Sequence, residues 1–290
     1  MQSQRLALRA VYRVRMGDVR TGDRATAASA HADPPIAIDL NADLGESFGS
    51  WHLGRDEELM TLISSANIAC GFHAGDPLVI RRTIDLALAN DVTIGAHPGY
   101  PDLVGFGRRR LDMASEELET AVEYQLAALS GMARAAGGEL RHVKPHGALY
   151  NVAADDHAAA EAIVRAVSRI SRDLIVVGLA GSALVAAGRA AGLAVRSEAF
   201  ADRAYEADGR LRSRRLPGAV HDDPNVVVRQ ALAIAMGQPV IAFDDSSLTI
   251  SADTLCLHGD TPSAVELARA IRGAFQERGI KVTAHPGPRG

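Results

Sequence analysis

Apolar and polar residues alternate strictly over residues 38–44 of the stretch 36–46, which reads Ile-Ala-Ile-Asp-Leu-Asn-Ala-Asp-Leu-Gly-Glu. A strand of that sequence sends Ile36, Ile38, Leu40 and Ala42 to one face and Ala37, Asp39, Asn41 and Asp43 to the other. The first face suits covering helices. The second carries three polar groups in a row, where a buried strand would hold valine or isoleucine. Two carboxylates this close are costly to bury unless they are paired, hydrogen-bonded or metal-bound. The alternative is an edge strand with one wet face.

Helical spacing of Leu59, Leu62 and Ile63 predicts a helix over 55–66, and a short apolar run follows over 67–73. Pro77 stands at a first turn, where proline is tolerated, and opens a helix to about Asn90. A strand is predicted over 92–97. Ser115 is expected to cap a long helix, with Glu116 and Glu117 in its first turn, where carboxylates suit the helix dipole. The third residue on is Leu118, which leaves no reciprocal capping box. That helix runs to Gly137 and Gly138. Further strands are predicted over 140–146, 174–179 and 194–200, then a charged, glycine-bearing loop over 205–222. A helix over 225–236, a hairpin over 240–250, a strand over 254–258 and a helix over 262–278 complete the chain. Short apolar strands alternating with helices imply a covered parallel sheet. About seven such units suit a closed (β/α) barrel better than an open sheet. No composition break divides residues 36–290, which read as a single barrel domain.

Chemistry-bearing residues recur at the strand ends: His73, His97, Lys144 and His146, then Glu198 and Asp202 on one parity, and His258 and Asp260 on another. A barrel gathers these carboxyl ends on the face where such folds place their sites. Pro145 argues against a helix, so His142, Lys144 and His146 share the inward face of a strand. A lysine buried among histidines is pushed toward neutrality unless Asp39 or Asp43 pairs with it. A structural ion pair and direct catalysis are both open to it. His73 and His97 each precede a glycine-bearing turn, and the first turn leads into a helix whose amides are expected to be open to an anion. Asp43, His73 and His97 offer one carboxylate and two imidazoles, a set suited to zinc or another divalent ion. HExxH, the GxxxxGK[ST] phosphate loop and GxSxG are all absent.

The 290 residues are 47% hydrophobic, enough for one large core, and the net charge of −4 comes without any basic, aromatic-rich surface for nucleic acid. Cys70 and Cys256 each lie in an apolar run and form no CxxC pair, which fits a reducing, cytoplasmic setting. No apolar run reaches membrane-span length. Residues 1–35 differ, with Arg5, Arg9, Arg13, Arg15, Arg20 and Arg24 followed by an Ala/Ser-rich stretch and Pro34-Pro35. Arg9 and Arg13 interrupt the only apolar run there, so a secretory core is missing. This segment reads as a disordered extension or a frame begun too early, with Met16 an alternative start.

Four stretches together resemble signatures of the lactam-utilisation family: Asp-Leu-Asn-Ala-Asp-Leu-Gly-Glu over 39–46, Ile-Ala-Cys-Gly-Phe-His-Ala-Gly-Asp-Pro over 68–77, Gly-Ala-His-Pro-Gly-Tyr-Pro-Asp over 95–102, and Val-Lys-Pro-His-Gly-Ala-Leu-Tyr-Asn over 143–151. Residues 198–205 and 254–260 extend the likeness, which covers about 36–285. The resemblance implies a deformed (β/α) barrel related to glycoside hydrolases and polysaccharide deacetylases. It also implies ATP-dependent opening of 5-oxo-L-proline to L-glutamate, with two partner subunits of a 5-oxoprolinase, B and C. The candidate catalytic set is then Asp43, Glu46, Lys144 and His146. Candidate substrate-binding residues are Asn41, His73, Asp76, His97, Glu198, Asp202, Arg203 and His258. Two other readings stand beside this one: a stand-alone metal-dependent deacetylase or amidohydrolase, and a non-catalytic subunit that only binds substrate.

Overall fold

The computed structural model describes residues 36–259 and 263–284. The expectations for residues 1–35, for Asp260 and for a helix start at Pro262 lie outside the described residues. The first half of the chain runs β1 (Ala37–Leu44), α1 (Asp56–Met60), β2 (Ser65–Ala69), α2 (Pro77–Ala89), β3 (Thr93–His97), α3 (Ser115–Ala135) and β4 (Leu140–Val143). It continues through α4 (Gly147–Asp155), α5 (His157–Ile170), β5 (Ile175–Leu179), α6 (Ala183–Ala190) and β6 (Val195–Phe200). The last part holds α7 (Pro224–Ala235), β7 (Val240–Ile241), β8 (Ser247–Leu248), β9 (Thr254–Leu257), α8 (Ala264–Glu277) and β10 (Lys281–Val282).

Strand pairing follows β1-β2-β3-β4-β5-β6-β9, and β9 returns to β1, so seven parallel strands close a barrel. β7 and β8 form the antiparallel hairpin apart from it. The parity read from residues 36–46 decides which way β1 faces. Ile38, Leu40 and Ala42 are fully buried among the apolar residues that pack outside the barrel wall. Asp39, Asn41 and Asp43 point inward, where they meet side chains from β2, β6 and β9 and Lys144, the residue just after β4.

Several predicted boundaries move. The helix expected over 55–66 stops at Met60, because Ser65 and Ala66 are drawn into register with Asn41 and Ala42 of β1. The 67–73 run is strand only to Ala69, so His73 enters the site from a turn. β4 ends at Val143, yet Lys144 N–H still donates to Ala96 O and His146 N–H to Pro98 O, which preserves the inward parity. Ala114, not Ser115, is the N-cap of α3. Its N–H donates to the Glu117 side chain, the return half of a capping box. The pattern did not resolve the three helices α4–α6. Their buried faces are rich in alanine, which carries little hydrophobic contrast in sequence.

Candidate active site

The barrel interior holds two polar layers. In the deeper one the side chains that β1 contributes are all matched. Asp39 accepts from Ser64, Ser65 and Thr254 hydroxyls at 2.7, 2.7 and 2.6 Å. Asn41 donates to Glu198 Oε1 and Thr254 Oγ1, and its own Oδ1 accepts from Asn67. His142 Nε2 lies 2.8 Å from Asn67 Oδ1. That ring sits directly over Gly95, where a Cβ would come within 1.9 Å of it. Only glycine leaves room for the histidine.

Lys144 joins the layers. Its Nζ lies 2.9 Å from Asp43 Oδ1, 3.0 Å from Glu198 Oε1 and 3.0 Å from Cys256 Sγ. Three ammonium protons thus meet three acceptors. Burial by itself would lower the lysine's pKa, but Asp43, Cys256 and Glu198 hold it well above the ordinary value. Burial would likewise raise Asp43, and the facing His97 and Lys144 hold it well below the usual carboxylate range. The Cys256 thiol is pushed well up, by burial first, and stays protonated.

At the carboxyl ends of the strands the pattern changes. His97 Nδ1 lies 2.7 Å from Lys144 O and His146 Nε2 lies 2.8 Å from Phe106 O. Carbonyl oxygens only accept, so both of these nitrogens carry hydrogen. The opposite nitrogens, His97 Nε2 and His146 Nδ1, face each other at 3.0 Å. In neutral rings both are lone pairs. Asp43 Oδ2 stands 3.3 Å from the first and Glu46 Oε1 3.2 Å from the second. Two lone pairs and two carboxylates therefore converge with no hydrogen between them, and the cluster calls for a proton or a cation. His73 stacks on His146 at 3.7 Å and turns Nε2 to Glu46 Oε1 at 3.2 Å. Burial, then the neighbouring His146, push His73 down to about 3, so it is neutral at physiological pH. Glu46 would be raised by burial, and the neighbouring His146 and His73 hold it low instead.

The ligand atoms of Glu46, His73, His97 and His146 all lie within 4.8 Å of one another. This donor set fits a divalent ion, because the carbonyls of Lys144 and Phe106 already fix the tautomers that present two imidazole lone pairs. It differs from the set expected from sequence: Glu46 and His146 join His73 and His97, while Asp43 stands beside them, bound to Lys144. Gly107 makes the packing possible. It sits at φ +63°, and a Cβ there would come within 2.8 Å of both His73 and His146.

Glu46, His97 and His146 of this cluster line a cavity of about 560 Å³, which His73, fully buried behind them, does not reach. Of the sequence candidates, Asp43, Glu46, His97, Lys144, His146, Arg203 and His258 reach it. Asn41 and Glu198 belong to the deeper layer. Asp202 accepts from His258 at 2.8 Å and orients it. Asp76 goes elsewhere: it caps α2, accepting from Leu78, Val79 and Gly49 N–H. The amides expected to be open to an anion at that helix start are thus already taken. Sequence reading missed Tyr150, whose buried hydroxyl has no well-formed hydrogen bond, as is true of Glu198 Oε2. Burial, then the nearby Glu198 charge, raise that hydroxyl well above the ordinary value and keep it protonated. Sequence reading also missed the arginines over 210–215 that line the cavity wall. Their signal was present in the repeated arginines of the predicted loop.

The pattern that defines the LamB/YcsF family matches residues 38–289. The A subunit of a 5-oxoprolinase from Chloroflexus aggregans is 55% identical over 247 residues, 85% of this chain and 98% of the relative. The solved structure of a lactam utilization protein from Thermus thermophilus is 46% identical, with a TM-score of 0.82 over 86% of this chain and 99% of that one. A structure from Enterococcus faecalis, 13% identical over 87% of this chain and 98% of its own, shares the fold alone at a TM-score of 0.51. Among the described residues no helix is long and apolar enough to cross a membrane.

Proposed function

We propose that this chain, which belongs to the LamB/YcsF family, is the hydrolytic A subunit of an ATP-dependent 5-oxoprolinase. It opens 5-oxo-L-proline to L-glutamate together with partner subunits B and C. The relatives' shared name supports the subunit role, and one observation carries the chemistry. An ionised Asp43 and a pair of histidines with facing lone pairs meet at the floor of one cavity.

Ring opening adds water to the lactam carbonyl carbon, breaks the C–N bond and delivers a proton to nitrogen. Asp43 is the base for that water. Its Oδ1 is tied to Lys144, which leaves Oδ2 turned to His97 and the cavity. Lys144 has no proton to spare for substrate, so its work is to keep Asp43 ionised. His146, backed by the Phe106 carbonyl, is placed to hold the proton that the departing nitrogen takes. The Tyr150 hydroxyl, on the cavity wall, is available to orient the ring. The chain has no phosphate loop, so ATP-driven activation of the unstrained amide falls to the partners. The test is glutamate formation from 5-oxo-L-proline and ATP, with each subunit omitted in turn. Full turnover without this chain would overturn the proposal.

A second reading has its own support in the facing lone pairs. Glu46, His73, His97 and His146 would hold a divalent ion, which would supply Lewis-acid stabilisation of the carbonyl oxygen. Metal analysis of the purified chain separates the two. A stoichiometric ion, with loss of turnover on chelation, favours the metal hydrolase.

A further inference from the structure

Arg203 lines the cavity that holds Asp43 and His146, and the ring-opening chemistry leaves it without a task. It stands just beyond β6, where Gln230 Nε2 donates to the carbonyls of Phe200 and Arg203 and fixes the turn. The guanidinium is fixed as well. Its Nε donates to Ala219 O at 3.1 Å and its Nη2 to Arg212 O at 2.6 Å. Those two nitrogens form the side edge of the planar group. The end edge, with one N–H from each Nη, meets no other acceptor among the described residues. A fork already held in one orientation spares a ligand the cost of ordering a long side chain.

Among the described arginines that line the cavity only Arg203 is buried, at 5% exposure. Three others carry their own carboxylates: Arg110 faces Asp156 at 3.7 Å, Arg210 faces Asp155 at 2.9 Å and Arg212 faces Glu206 at 2.8 Å. Arg203 has no carboxylate of the described residues within 4 Å. Asp202, its neighbour in sequence, turns to His258 at 2.8 Å instead. Burial, then the nearby Arg214, lower the Arg203 pKa to about 10, which still leaves it charged at neutral pH. A buried cation that meets only carbonyl oxygens is costly to keep, and an anion at its open edge would offset that cost.

One guanidinium edge matches one carboxylate, which it holds by two parallel N–H···O bonds. The single charge on 5-oxo-L-proline is a carboxylate, carried on the ring carbon next to nitrogen. We propose that Arg203 is the carboxylate-binding, specificity-determining residue of this cavity, so that the site selects lactams bearing a carboxylate over neutral lactams. Anchoring the group that does not react positions the amide that does. The carboxylate site stands on the geometry of Arg203, and only the identity of the lactam rests on the 5-oxoprolinase reading.

Calorimetry on the full chain tests this without turnover, using 5-oxo-L-proline and 2-pyrrolidinone, the same ring without a carboxylate, as matched probes. The wild type should bind the acid about ten- to a hundredfold more tightly, the scale of a charge-assisted contact. Arg203→Met should bind the two lactams alike. Melting temperatures register the loss of the two carbonyl bonds. An arginine that only braces the loop would weaken both lactams in proportion and leave the preference intact. If Arg203→Met does not fold, Arg203→Lys decides, because it keeps a charge without the fork and should lose most of the preference. A preference that survives in the folded variant overturns the site, as does a wild type that binds the two lactams alike or binds neither. A preference that Arg203 controls upholds it even if glutamate forms without this chain, so the two proposals fail separately.

Discussion

Asp39 and Asp43 occupy the same face of the same strand, four residues apart, both buried, and they do different things. Asp39 accepts three hydroxyl hydrogen bonds and is fully served. Asp43 shares one oxygen with Lys144 and turns the other to His97, whose Nδ1 hydrogen is already given to the Lys144 carbonyl. The layers around them repeat the contrast. The deeper one alternates donors and acceptors, and the outer one stacks acceptor against acceptor at His97, His146 and Glu46. Burial and residue type are alike in both. What separates Asp39 from Asp43 is whether each carboxylate oxygen finds a hydrogen.

Substitutions along this axis can break the distinction. Asp43→Asn should lower turnover per folded molecule in the reconstituted three-subunit system by about two to four orders of magnitude, and should also lower the melting temperature, because buried Lys144 then keeps only Glu198 as a counter-charge. Near-normal turnover would move the base elsewhere. Lys144→Met strands Asp43 and Glu198 without a counter-charge and should cost about 3–5 kcal/mol of stability, read by denaturant titration. Part of that cost depends on pH. Asp43, lowered in the fold, contributes stability that is complete above the ordinary carboxylate range, about pH 4. It is lost as pH falls through the folded value. The gap between wild type and Lys144→Met should therefore narrow in acid.

Gly95→Ala drives a methyl into the His142 ring and should destabilise by about 3 kcal/mol, the upper part of the overpacking range. His142→Ala in the same chain should relieve the clash, and a double-mutant cycle measures how much. Asp39→Asn places an amide where three hydroxyls donate and should cost about 1–3 kcal/mol. Turnover per folded molecule should persist, because both Asp39 oxygens are already served by hydroxyls. A loss of turnover matching that of Asp43→Asn would erase the line between the two layers. Smallest of all is the effect expected from removing residues 1–30, which lie before the family match at 38. Melting temperature and turnover should stay as they are, and a clear fall in either would give that segment a role.

A two-residue strand period is local, so the inward set of Asp39, Asn41 and Asp43 was legible from residues 36–46, as was the shared face of Lys144 and His146. The barrel followed from the alternation of such strands with helices, and the placement of His73, His97 and His146 near one another followed from the barrel. Period and propensity say where a side chain points. They are silent on what it meets. The Asp76 side chain, read as a substrate group, is consumed by three amides, one of them 27 residues away. Lys144 turned from a possible proton donor into a fully occupied counter-ion. Its partners lie 101 and 112 residues distant in sequence. The tautomers of His97 and His146 are imposed by carbonyls 47 and 40 residues off. Hydrogen-bond partnership is a property of distance in space, and closing the barrel brought these separations below about 4 Å.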